Sequence, residues 1–530
     1  MTSAAAASSG TDDPGVRPGL GVLLVACVST LVVNANTSAV SILIPSISTD
    51  LGTPIDVLQW AVTGYLLVGA ATIVTSGALG DVFGRRRIFM GGLLLFVASS
   101  VLIALAPTGG VVVLGRVIAG AAGATILACG LGLLSVASSG QGQMWGVSLW
   151  GGAAAVGAAA GPVIGGVLNE ASGWQGLFWV NAAIAAACIP LTWATVAESS
   201  DPERSRRIDW AGTVLIAGVL VPFVFAVTEG SSWGWVSVPT LVCLVTTVLA
   251  AVGFVLVERR VSAPLIDLAL LRNVLLVGAT IAILIGAGAI AAITFMISLY
   301  FQNPLAFGMS SFQAGLATLP VAAAVVVVAP VVSPLAHKFS ARVVVTAGFV
   351  VLTASFAVLA AVRPGWSYVA FLIPLLGIAV GLALSNGPAS SVATACVPTE
   401  QVGSASGISN MARYVGGAVM TAVAAGIVAR VSMVKAEAGQ AGADALAAGF
   451  ARACLVLAIF SAFGIPLGWL VARRTRRPRA SDLAAASAST IYTLPPRGDG
   501  EGGDGRNDGG AEVGGDDLGG AGRHRLGSRR

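Results

Sequence analysis

The sequence predicts an all-α polytopic membrane protein, and three observations carry that prediction. Of 530 residues, 56% are hydrophobic and 10% charged, with mean hydropathy +0.89, whereas soluble domains are about 25% charged. Unbroken apolar runs recur at the ~20-residue length that crosses a hydrocarbon layer of about 30 Å, and such runs exclude a transmembrane β-barrel. The 68 glycines and 23 prolines suit membrane helices, where small residues permit close backbone approach and neighbours re-satisfy a kinked backbone.

Residues 1–18 are polar and precede a run long enough to span, so the run is expected to stay as helix one rather than be cleaved. Apolar windows then fall at 19–45, 57–79, 88–106, 111–134, 144–168, 176–197, 210–228, 237–257, 274–301, 312–335, 343–361, 368–392, 407–429 and 448–471. With both termini inside, the cytoplasmic loops carry Arg85–Arg87, Arg204, Arg206, Arg207, Arg259, Arg260, Arg272, Lys338, Arg342 and the arginines from Arg473 to Arg479. The outer loops hold Arg363, Arg430 and Lys435, so fourteen spans satisfy the positive-inside rule. Residues 472–530 turn to Ala, Ser, Gly and Asp and read as a disordered cytoplasmic tail, with 1–18 as a disordered N-terminus.

The +5 net charge sits at span ends, where orientation explains it and nucleic-acid binding is not expected. Cys27, Cys129, Cys188, Cys243, Cys396 and Cys454 show no metal-like spacing and read as free thiols. His337 and His524 belong to no nucleophile–base set, so neither enzymatic activity nor a cofactor is expected. Arginine predominates, with Lys338 and Lys435 as the two lysines, and with the Ala/Gly/Val bias this suggests a high-GC bacterial genome. The expected location is the bacterial cytoplasmic membrane.

Four features carry chemistry. The segment Gly77-x-Leu79-Gly80-Asp81-x-x-Gly84-Arg85-Arg86 joins spans two and three by a tight turn, with Asp81 placed where an arginine or a helix N-terminus can hold it. This reads as a conformational latch for a moving hairpin. Arg116 lies some six residues inside span four, and an intramembrane cation usually faces a cavity or a partner. Arg413 lies at comparable depth in span thirteen, beside Asn410, with snorkelling as the alternative. Gly157, Gly161, Gly165 and Gly166 form a stripe where another helix can approach, and Pro162 permits a bend.

The hairpin resembles the loop-two signature of the major facilitator superfamily. Gln59-Trp60-x-Val62-Thr63-x-Tyr65-Leu66-Leu67, Arg116 with Gly120, Gly157-x-x-x-Gly161-Pro162-x-x-Gly165-Gly166, Gly173-Trp174 with Phe178-Trp179-x-Asn181, and the Gly403–Gly417 segment resemble its fourteen-spanner drug:proton antiporters. That resemblance covers residues 19–471. It implies the major facilitator fold: a six-helix bundle at 19–197, a two-helix linker insertion at 198–273 and a second six-helix bundle at 274–471, rocking about a central cavity. It also implies secondary active efflux of small hydrophobic drugs, antibiotics or metabolites by proton antiport, with Arg116 in the proton relay and the Pro162 bend in the outer seal. Cavity-lining candidates are Asn34, Asn36, Gln59, Trp60, Trp145, Trp150, Asn386 and Asn410. Partners are the bilayer, protons and the substrate, and a monomer is expected. Export of a lipid or envelope precursor, or a transporter-like protein without proton coupling, are the alternatives.

The chain departs from that family where coupling is concerned. Nine residues before Pro45, where relatives carry an aspartate, stands Asn36, and an amide cannot exchange a proton near neutral pH. Ala119 and Gln175 replace a usual Gln and Arg. No carboxylate falls near the predicted midplane, so Asp81, Glu170 and Glu229 become the peripheral coupling candidates. A cavity with Arg116 and Arg413 and no acid should lean positive, which favours neutral or anionic substrates.

Overall fold

The computed structural model describes residues 16–200, 208–261, 264–398 and 401–471. Its helices are α1 (Leu20–Leu51), α2 (Ile55–Phe83), α3 (Arg85–Ala104), α4 (Gly109–Val136), α5 (Gly140–Ser172), α6 (Gln175–Thr195), α7 (Trp210–Trp233), α8 (Val238–Glu258), α9 (Val274–Gln302), α10 (Ser311–Phe339), α11 (Ala341–Leu359), α12 (Tyr368–Ala395), α13 (Val402–Glu437) and α14 (Gly442–Val471). Among the described residues, fourteen helices are long and apolar enough to cross a membrane, one for each expected window. Several overrun their windows: α13 extends past 407–429 at both ends, because its flanking Ser, Ala and Glu continue a helix beyond the apolar slab.

Packing follows a repeat. In the first six helices α1 lies on α5, α2 on α4, and α3 on both α4 and α6. In the last six, α9 lies on α13, α10 on α12, and α11 on both α12 and α14, the same pairings shifted by eight helices. The chain is thus an internal repeat of two equivalent six-helix bundles. Between them α7 and α8 pack on each other, and α7 touches α2 and α13. Asp209 caps α7 by accepting from the Gly212 amide at 2.6 Å.

Val16–Pro18, expected in the disordered N-terminus, instead clamp onto the α4–α5 connection, where Val16 and Ser139 exchange two 3.0 Å hydrogen bonds. Arg17 lies over the Trp145 ring at 5.5 Å. The expectations for 1–15 and 472–530, and for Asp201, Glu203, Arg204, Arg206, Arg207 and Glu400, fall outside the described residues.

Candidate functional site: the interface between the bundles

The two bundles meet most closely at the end carrying the α1–α2 loop. There α5 crosses α10 at backbone contact: a Cβ on Gly166 would lie 2.6 Å from the Ser311 carbonyl oxygen, and one on Gly315 2.5 Å from that of Pro162. The glycine stripe therefore has two faces. Gly157, Gly161 and Gly165 lie against α1 at Leu31, Ala35 and Ala39 within their own bundle, while Gly166 faces the other bundle.

A polar strap closes the same end. Asn169 donates to Ser46 at 2.9 Å and to Ser311 at 3.0 Å. Ser311 donates to Gln302 at 3.0 Å, and Gln302 donates to the Ile42 carbonyl at 3.0 Å. Ser298 donates to the Ser41 carbonyl at 2.5 Å, and Ser310 to the Glu170 carboxylate at 2.5 Å. Every bond but Asn169–Ser46 and Ser311–Gln302 joins one bundle to the other. At the α2–α3 end, the ion pairs of Arg85, Arg86 and Arg87 with Asp81 and Glu198 lie on the side of the first bundle. The strap was invisible in the sequence, since isolated serines on apolar helices look like small packing residues.

The α2–α3 hairpin is fastened within its own bundle. Arg85 pairs with Asp81 at 2.8 Å. Glu198, beyond α6, accepts the Arg86 amide at 3.1 Å and holds the Arg87 side chain at 3.5 Å. Arg86 donates to the Val196 carbonyl at 3.1 Å, with its guanidinium over the Trp193 ring at 4.9 Å. Gly84 turns at φ 106°, and a Cβ there would meet the Glu198 carboxylate at 2.5 Å. Gly80 sits over Cys129, whereas a Cβ on Gly77 would touch nothing. Glu198 is the member of this assembly that motif spacing missed, because it lies 112 residues from Arg86.

Arg116 packs against α2. It is completely buried, donates from Nε to the Ala61 carbonyl at 2.9 Å, and stacks 4.2 Å from the Tyr65 ring centroid. Its terminal nitrogens have no hydrogen-bond partner among the described residues. Tyr414 of α13 crosses to α2 at the same level and fills the space that Gly69 leaves. Asn36 is likewise buried, and its carbonyl oxygen accepts from Asn181 of α6 at 3.1 Å.

The cavity candidates divide accordingly. Asn34 donates back to the Thr30 carbonyl, and Gln59 is buried in α2. Trp60 stacks on Phe225 and donates to Glu229 at 3.1 Å, so it binds the linker helix α7 rather than lining a central cavity. Trp145 is exposed under Arg17, and Trp150 lies beside Gly130. Asn386 faces Gly286 of α9. Arg413, in contrast, is exposed although it sits about 16 Å along α13, and it reaches Ser390 of α12 at 2.6 Å. Asn410 lies one turn before it, half-buried. The described carboxylates all stand at helix ends or in loops.

Comparison with known proteins places this architecture. The family model "Major Facilitator Superfamily" matches residues 26–421. The chain is 31% identical over 406 residues to the tetracenomycin C resistance and export protein of Streptomyces glaucescens, covering 76% of this chain and 73% of that protein. It is 32% identical over 416 residues to the multidrug resistance protein Stp of Mycobacterium tuberculosis, covering 78% and 75%. It is 30% identical over 409 residues to the cephamycin export protein CmcT of Amycolatopsis lactamdurans, covering 76% and 83%. Among solved structures, the human organic anion transporter MFSD10 aligns with TM-score 0.55 at 16% identity, over 83% of this chain and 99% of that one. The nucleoside transporter NupG aligns at 0.56 and 13%, over 86% and 100%. These structures share the fold. With the repeated bundles, the inserted helix pair and the family match together, the chain belongs to the Major Facilitator Superfamily.

Proposed function

We propose that this protein is a secondary active exporter of small hydrophobic compounds, antibiotics or toxic metabolites among them, working by alternating access. The observation that carries the reading is a pair of equivalent six-helix bundles held together at one end by a strap of hydrogen bonds and glycine contacts. The relatives named as resistance and export proteins support the export direction. The sidedness follows from charge: the strapped end is outer because the arginine-rich hairpin lies opposite.

Arg413 exposed within α13, with every described carboxylate at a helix end or in a loop, favours neutral or anionic substrates over lipophilic cations. Glu170 is the carboxylate best placed for proton coupling. It holds Ser310 of the opposite bundle, and a charged acceptor binds about twice as strongly as a neutral one, so protonation would loosen the seal.

The test is proton movement in proteoliposomes on adding neutral, anionic and cationic lipophilic compounds, with Glu170→Gln beside the parent. Substrate-triggered proton movement, lost in the variant while flux persists, supports antiport through Glu170. Flux with no proton movement in the parent removes the antiport reading. The Asn36–Asn181 pair favours that second reading, a carrier without proton coupling, because α1 there offers an amide.

A further inference from the structure

A second cleft lies on the flank of the C-terminal bundle, where α13 and α14 diverge beside the end of α11. Its cavity volume is ≈ 530 Å³. Arg430, Val431, Val434 and Lys435 line it from α13, and Arg452 and Leu455 from α14. The spacings put each set on one helix face, and the antiparallel hairpin brings the two faces together.

Three cations thus share one cleft, and among the described residues no acidic side chain lines it. None of the three makes an ion pair among the described residues. Arg430 and Arg452 are exposed, and Arg452 lies inside a membrane-spanning helix, where a bare cation is costly. Below Arg452 the exposed Leu455, Ile459 and Phe463 continue at four-residue spacing, an apolar stripe turned outward from the bundle. A basic head over an apolar stripe matches a molecule with an anionic end and a hydrocarbon end.

We propose that this cleft binds the phosphate headgroup of an anionic membrane lipid, with Arg430, Lys435 and Arg452 around the phosphate and Val434 and Leu455 along the acyl chain. The site is separate from the central cleft, and it stands whatever the protein exports.

The experiment is native mass spectrometry of the full chain in detergent, titrated with phosphatidylglycerol and with phosphatidylcholine. The parent is expected to prefer phosphatidylglycerol. Arg430→Gln with Arg452→Gln should weaken that binding by about fivefold per cation removed, while Arg430→Lys with Arg452→Lys should keep it. Arg363→Gln, an exposed cation near the same end but outside the cleft, should change nothing. Should the double glutamine variant fail to fold, Lys435→Gln carries the same comparison. Equal affinity for the two lipids, or a preference undiminished in the glutamine variants, overturns the proposal. Displacement of phosphatidylglycerol by inorganic phosphate at equal concentration also overturns it, because the site would then bind a free anion.

Discussion

Asn169 of α5 donates to Ser311 of α10 at 3.0 Å, and the same nitrogen reaches Ser46 of α1 at 2.9 Å. One amide thus ties three helices from both bundles. A typical net hydrogen bond contributes about 1 kcal/mol and the Ser311 bond is the one of the two that crosses between the bundles, so Asn169→Ala should shift the equilibrium toward opening at this end by about 1 kcal/mol, or about fivefold. Spin labels on α5 and α10 read the change as a distance population. An unchanged distribution would mean that the glycine contacts alone hold the seal.

The glycine contacts make a stronger prediction. A Cβ at Gly166 would stand 2.6 Å from a backbone oxygen, and backbone cannot rotate away as a side chain can. Gly166→Val should therefore hold α5 off α10 and keep the strapped end open. A cysteine at Ser46 would then become reactive to a membrane-impermeant maleimide, and efflux would fall to background. Gly157→Val tests the distinction between the two faces of the stripe: it should destabilise the α1–α5 pair within one bundle without exposing position 46.

Span number, span order and the hairpin were legible in the sequence because a helix in lipid must satisfy its own backbone, which makes hydropathy sufficient. Side-chain direction was not legible. Arg116 reads as a cavity charge from its depth, yet its fate was set by Tyr65, 51 positions away, which offers a ring face in place of a carboxylate. Trp60 reads as cavity lining, yet Glu229 of the inserted pair captures it. Arg430, Lys435 and Arg452 are remote in a positive-inside count, and α13–α14 packing makes them one cluster.

The glycines of the hairpin are not equivalent. At Gly84 the left-handed backbone and the adjacent Glu198 both exclude a side chain, so Gly84→Ala should cost about 1–3 kcal/mol and release the Arg86 and Arg87 contacts. Gly77 faces open space within a helix, where alanine is favoured by about 1 kcal/mol. Thermal unfolding in detergent should rank Gly77→Ala at or above the parent and Gly84→Ala below it. Equal losses would show that Gly77 serves in another conformation, where the hairpin meets the opposite bundle.

Arg116 and Tyr65 should behave as a structural pair. A desolvated cation–π contact is worth about 2 kcal/mol or more, so Tyr65→Ala should lower stability by that amount and Tyr65→Phe by much less. Arg116→Lys keeps the charge but loses the planar stack and the oriented Nε bond to Ala61. A double-mutant cycle on thermal stability should give a coupling near the cation–π value. A coupling near zero would assign Arg116 to Ala61 alone.

Arg413 is the residue on which the proposed preference for neutral or anionic substrates can be tested. It is exposed about a third of the way along α13 with a hydroxyl, Ser390, as its hydrogen-bond partner, and on the proposed reading its charge acts on the substrate path. At an effective dielectric of about 20, a cation held roughly 8 Å away is opposed by about 2 kcal/mol, or some thirtyfold in affinity. An anion at that distance gains as much. Arg413→Gln should therefore raise efflux of a lipophilic cation relative to a matched lipophilic anion by up to about a thousandfold in the affinity ratio. Residual water in the open cleft screens this, so tenfold is the smallest ratio consistent with the assignment. Dye efflux from everted vesicles, run with a cationic and an anionic fluorophore of similar size, measures it directly. An unchanged ratio would place the Arg413 charge outside the transport path and leave charge selection to residues of the first bundle.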